Sequence, residues 1–138
     1  MAKVSVFSKL AAPAERVWDV IGPFDSISDW HPAIEKSVLE SEGKLRLLWL
    51  AGGGRAVDQL VVHDDDKRFY RYFSIETPLP VAEFAGKVSV NIGESGAGSI
   101  IECSANFAPI GLSETDSIIV IKSVYEAGLE NIRIILGE

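Results

Sequence analysis

Two histidines occur in the chain, and one of them, His31, stands in Asp29-Trp30-His31-Pro32, between an indole and a proline. An imidazole titrates near neutral pH, so at this position it can pair with an anion when protonated, donate one hydrogen bond when neutral, or relay a proton. The plainer reading is a polar residue at a helix exit, hydrogen-bonded to backbone or half exposed. The second histidine, His63, stands beside Asp64-Asp65-Asp66 and reads as a surface residue. That acidic run lacks the spaced ligands and terminal Glu of a calcium hand, and reads as a solvated turn. Cys103 is the only cysteine. It has no neighbouring Cys or His for a zinc site, and its apolar run does not offer the base and electropositive setting that a nucleophile needs. Gly52-Gly53-Gly54 has neither the Lys-Ser/Thr of a phosphate loop nor the strand-to-helix context of a dinucleotide fingerprint, so mobility is the better reason for three glycines. The sequence calls for no metal and no cofactor.

The elements that must position these groups come from a chain of 138 residues that is 47% hydrophobic, enough for one domain, 1–138, with a sizeable core. Twenty acidic against thirteen basic residues give a net charge of −7. With no Lys/Arg cluster to track a phosphate backbone, nucleic acid is not an expected partner. No apolar run reaches the ~18 residues that suggest a membrane span, and the first residues carry no apolar signal region. The expectation is a soluble cytoplasmic protein, which a lone cysteine also fits.

"KVSVFSKL" alternates like a strand, and "APAERVWDVIG" follows with Val17, Trp18, Val20 and Ile21 as a helical stripe stopped by Gly22-Pro23. "FDSISDWH" has room for one or two further helical turns before Pro32, because proline pushes the residue before it out of the α region. From 34 to 108 six strand-like runs are separated by Glu42-Gly43, Gly52 to Gly54, Asp64 to Asp66, Pro78-Leu79-Pro80 and Glu94 to Gly98, which tight turns select. This is an antiparallel meander. After Pro109-Ile110-Gly111, Ser113 can cap a helix whose first turn holds Glu114 and Asp116. Val120, Val124, Gly128, Ile132 and Ile135 then recur at helical spacing, with Ile121, Tyr125 and Leu129 beside them.

The layout is α+β: a seven-stranded antiparallel curled sheet, two short helices after the first strand, and one long C-terminal helix across a face. Twisted sheets of that size curl, and the small Val120, Val124 and Gly128 do not plug a deep concavity. A cavity is therefore expected between sheet and helix. The order of elements, with "PAERVWDVIGPFDSISDWHPAI", "LRLLWLAGGG", "DQLVVHDDDKRFYRY", "PLPVAEF" and "YEAGLENI", resembles the polyketide cyclase/dehydrase and lipid-transport superfamily. That superfamily is also called START-like or SRPBCC and has the helix-grip fold of the birch-pollen allergen. The resemblance covers essentially the whole chain and implies a hydrophobic cavity for a lipid, sterol, polyketide or similar molecule. Within the superfamily the pattern is similar to small bacterial cyclase-like proteins and plant abscisic-acid receptors, whose gate and latch loops match Ala51 to Gly54 and Pro78 to Pro80. "LAGGGR" lacks the receptors' Leu-Pro and "PLPV" lacks their His-Arg, so hormone recognition and phosphatase partnership do not carry over.

The resemblance also assigns polar positions. His31 matches the receptors' ligand-pairing lysine, and Asp58 and Glu102 match two cavity glutamates, so the three are expected to converge. Leu45, Leu47 and Trp49, with Tyr72, Ser74 and Phe84, would form the sheet wall, and Val120 and Val124 the helix wall. Glu102 carries a conflict: alternation buries Ile101, Cys103, Ala105 and Phe107 and sends Glu102, Ser104 and Asn106 to water, whereas the resemblance turns Glu102 inward. Trp18 and Trp30 read as core anchors; Trp49 can stack on a ligand or cover the mouth. The leading expectation is a protein that binds a small hydrophobic molecule with a polar end, a carboxylate or hydroxyl. The alternative is a cyclase/dehydratase-like enzyme in which His31 with Asp58 or Glu102 transfers protons. An apolar outer face on the seventh strand would point to a homodimer.

Overall fold

The computed structural model describes residues 1–138. Strand β1 (Ala2–Leu10) leads into helix α1 (Ala14–Ile21) and a single turn, α2 (Ile27–Trp30). Strands β2 (Ile34–Glu40), β3 (Leu45–Leu50), β4 (Arg55–Asp64), β5 (Phe69–Glu76), β6 (Val81–Ile92) and β7 (Ser99–Pro109) follow, and α3 (Glu114–Ile135) closes the chain. The sheet is antiparallel in the order β1-β7-β6-β5-β4-β3-β2. Consecutive strands from β2 to β7 are hairpin neighbours, and only β1 reaches across the sequence, pairing Ala2 with Phe107 and Leu10 with Ser99. Register shifts in β4 near Leu60 and in β6 between Ala82 and Ala85 bend the strands, as bulges do. Glu83 at that second shift has φ +52°.

The local reasons for each element are plain. In α1, Val17, Trp18 and Ile21 point into the core, and Gly22 ends the helix under the Trp18 indole, where a Cβ would lie 2.6 Å from the ring. Helix α2 stops at His31, which is extended (φ −100°, ψ 117°), the conformation that Pro32 imposes on the residue before it. Ser113 caps α3 by accepting the Asp116 N–H at 3.1 Å. The buried stripe of α3 is Ser117, Ile121, Tyr125, Gly128, Leu129 and Ile132. It is rotated by about one residue from the stripe expected through Val120, Val124 and Ile135, because Tyr125 and Ile121 fill the concavity better than the valines beside them.

Gly128 sets how closely α3 approaches α2. A Cβ there would come within 2.8 Å of both the His31 ring and the Trp30 ring. The core joins the concave face of the sheet to α1, α2 and α3, with Phe107, Ile101, Val90, Val17, Ile21 and Ile132 fully buried.

Candidate functional site: a cavity with a buried ion pair

At one end of this core the side chains do not meet, and a cavity of about 280 Å³ remains, lined by 25 residues of which 18 are hydrophobic. Its volume lies near the lower end of the range for small-molecule sites. Leu48 and Ala56 from β3 and β4, Phe84 and Val88 from β6, and Ile121 and Val124 from α3 contribute apolar wall. The mouth is flanked by Ala51 and Gly53 of the β3–β4 loop and by Pro78 and Leu79 of the β5–β6 loop. Gly52, Gly53 and Gly54 all have positive φ, from 85° to 103°, which is the physical need for three glycines there. A second concavity of about 420 Å³ lies on the outer sheet face around Lys3, Arg71 and Lys87, but fewer than half of its lining residues are apolar. The inner cavity is the better candidate because it is apolar and holds buried polar groups.

Those polar groups centre on Arg46. Its side chain is 1% exposed, and Nε donates to Asp58 Oδ2 at 2.9 Å. Nη1 donates to the Phe24 carbonyl at 3.0 Å and to the Tyr70 hydroxyl at 3.2 Å. The guanidinium lies 4.2 Å from the Phe24 ring centre and 4.9 Å from that of Tyr72, within cation–π range. Burial opposes its charge, but the tyrosine oxygens and the Asp58 carboxylate around it outweigh burial, and its pKa stays above the ordinary arginine value. Beside the pair, the Tyr72 and Tyr125 hydroxyls meet at 3.0 Å, and Tyr125 donates onward to the Ser104 carbonyl at 3.3 Å. Gly86 leaves the space that the Tyr72 phenol occupies, since a Cβ there would sit 2.3 Å from it.

His31 lines the cavity, yet both ring nitrogens are already used. The Ala33 N–H donates to Nδ1 at 3.1 Å, so Nε2 carries the proton and donates to the Val124 carbonyl at 2.8 Å. Burial, opposed by the bond to Val124 and reinforced by the charge of Arg46, pushes the His31 pKa below the ordinary histidine value. The ring is thus a neutral clamp between the end of α2 and α3. The Trp30 ring packs beside it at 5.9 Å, with its indole N–H buried and unpaired.

Of the residues expected at the site, His31, Asp58, Tyr72, Ser74, Phe84 and Val124 line the cavity. Leu45, Leu47 and Trp49 do not. They occupy the outer face of β3, with Trp49 under the Lys36 ammonium at 5.2 Å, while Arg46, Leu48 and Leu50 face inward. Val120 is carried away from the cavity by the rotation of α3. Glu102 also lies outside: Ile101, Cys103, Ala105 and Phe107 are the buried side of β7, and Glu102 stands across from Phe7 and Ser89 on the outer face. The expected convergence of His31, Asp58 and Glu102 is therefore not formed, and Asp58 pairs with Arg46 instead. The outer face of β7 is mixed, with Glu102, Ser104 and Asn106 between Ile100 and Ala108, and it exposes no large apolar side chain of the kind that would point to a dimer. Cys103 does reach the cavity wall, but burial pushes its pKa up to about 12, so its thiol is not ionised near neutral pH. His63 is less exposed than expected, donating from Nε2 to the Gly22 carbonyl at 2.8 Å and stacking on Tyr70.

Arg46, the cation among the cavity's polar groups, is not among the residues expected there from the sequence. The signal that finds it is the β3–β4 hairpin, which pairs Arg46 with Asp58; cross-strand partners share a face.

The family described as polyketide cyclase / dehydrase and lipid transport matches residues 1–135. The chain belongs to that family. The solved structure of the protein XoxI from Bacillus cereus superposes with a TM-score of 0.92 at 30% identity, over 96% of this chain and 93% of that one. An uncharacterised protein from Bacillus thuringiensis superposes with a TM-score of 0.95 at 28% identity, over 99% and 100% of the two chains. A protein from Thermobifida fusca, 23% identical over 96% and 91%, has a TM-score of 0.82 and shares the fold. Among curated proteins, none matches the sequence. No helix is long and apolar enough to cross a membrane.

Proposed function

We propose that this member of the family is a binding protein for a small, mainly apolar molecule held between the sheet and α3. The observation that carries the reading is the cavity itself, apolar over most of its wall and ending on the Arg46–Asp58 pair. Desolvation of apolar surface supplies affinity at about 25 cal/mol per Å², and the few polar groups supply orientation. The enzyme reading fits this geometry less well, because His31 spends both nitrogens on backbone groups, Asp58 is paired with Arg46 and Glu102 stands outside. Native mass spectrometry of protein isolated under non-denaturing conditions tests the proposal. A bound species that leaves on denaturation supports it. Protein that arrives empty and takes up no hydrophobic molecule from a mixed small-molecule library contradicts it.

A further inference from the structure

We propose that the occupant of this cavity is an uncharged molecule whose inner end donates a hydrogen bond, a phenol or an alcohol and not a carboxylate. This rests on the binding reading above and adds the chemistry of the ligand's polar end.

Charge is the first consideration. The cavity's one guanidinium is paired with its one carboxylate at 2.9 Å, and the His31 ring is neutral because one nitrogen accepts and the other donates. A carboxylate carried inward would add an unmatched negative charge beside Asp58, in a place where unmatched charge is strongly disfavoured.

Hydrogen-bond direction is the second. Tyr125 gives its proton to the Ser104 carbonyl, so at the Tyr72–Tyr125 contact it is Tyr72 that donates. The Tyr72 oxygen is left with accepting capacity alone. Asp58 spends Oδ2 on Arg46, and its other oxygen is also an acceptor. Arg46 spends Nε and Nη1 on Asp58, Phe24 and Tyr70, leaving Nη2 as donor. Two acceptors thus stand against one donor. These groups are neighbours: after burial, the Asp58 carboxylate is the next cause that raises the Tyr72 pKa, and the Arg46 guanidinium lies over the Tyr72 ring. A hydroxyl accepts from Nη2 while donating to Asp58 or Tyr72 and so satisfies both senses, whereas a carboxylate only accepts. Ser74, the cross-strand neighbour of Asp58, serves in either sense and does not decide between them.

The test uses three probes of one shape, naphthalene, 2-naphthol and 2-naphthoate, titrated calorimetrically into the protein at neutral pH. The expected result is that 2-naphthol binds about tenfold more tightly than naphthalene, the worth of one buried hydrogen bond, and that 2-naphthoate binds no more tightly than naphthalene. In Tyr72→Phe the ratio of naphthol to naphthalene affinity falls by about threefold, a readout that a general loss of stability does not mimic. Tightest binding by 2-naphthoate overturns the proposal while leaving the cavity reading intact, and so does a ratio unchanged in both Tyr72→Phe and Asp58→Asn. If none of the three probes binds, the cavity reading itself fails and takes the proposal with it.

Discussion

Arg46 and Asp58 hold opposite charges in a place where neither is stable alone. Removing one partner leaves the other buried and unpaired, so Asp58→Ala is expected to destabilise the protein by about 3–5 kcal/mol. The double variant Arg46→Met/Asp58→Leu should recover most of that loss, since an apolar pair of similar volume suits the same site. Urea midpoints for the two variants check both statements. His31 gives a pH signature. Its folded pKa is lowered by burial from the ordinary 6.5, so the unfolded chain takes up a proton more readily than the folded one. Its contribution to stability is complete above 6.5 and is lost as pH falls from there through the folded value. Unfolding free energy of the native protein should therefore drop more steeply than that of His31→Gln between about pH 7.5 and pH 5.5. Equal slopes would mean that the ring is not held neutral. Part of this was legible: the bend before Pro32 follows from "DWHP", and a backbone-bonded histidine is one of the readings that stretch allows. What "DWHP" does not contain is the Val124 carbonyl that takes the second nitrogen, 93 residues away.

At the scale of elements, α3 is seated by a missing side chain. In an isolated helix Gly128→Ala would be favourable by roughly 1 kcal/mol. Here the added methyl meets the Trp30 and His31 rings at 2.8 Å, and overpacking of that kind costs about 1–3 kcal/mol. Thermal denaturation of Gly128→Ala should show a lowered midpoint; a raised one would mean that α3 is not pressed against α2. The strand order was readable because Gly, Pro and Asp punctuate every hairpin. The facing of β3 was not, because "LRLLWL" is apolar on both sides of the strand. Leu45, Leu47 and Trp49 keep partial cover outside from neighbours such as Val38, Lys36 and Val57, so hydrophobicity alone points the wrong way. The hairpin resolves it, since turning Asp58 inward turns its partner Arg46 inward too and sends those three residues out. For α3, a stripe one residue off is the natural error when Val120 and Ile121, or Val124 and Tyr125, are both apolar.

For the whole molecule, the sheet encloses more space than α3 fills. Val124 stands at the boundary, lining the cavity with a small side chain while its carbonyl holds His31. Val124→Phe keeps that backbone contact and puts a ring into the void. Binding of 2-naphthol should be lost, and the protein should gain about 1 kcal/mol from the additional buried apolar area. Retained binding with normal stability would place the probe elsewhere, for example in the outer groove around Lys3 and Lys87.

The pairing of β1 with β7 has a consequence in time. Every other strand contact from β2 to β7 closes a hairpin between sequence neighbours, but Ala2 must find Phe107 and the Glu138 carboxylate must find the Ala11 and Ala12 N–H groups. Contacts so distant along the chain pay the largest loop-closure entropy and are the ones that slow folding. The meander can therefore assemble hairpin by hairpin while still open at β1, and the walled cavity exists only once the first strand has come back to the last. A chain released from synthesis before its final strand and helix would have its first strand waiting, unpaired, for a partner made about a hundred residues later.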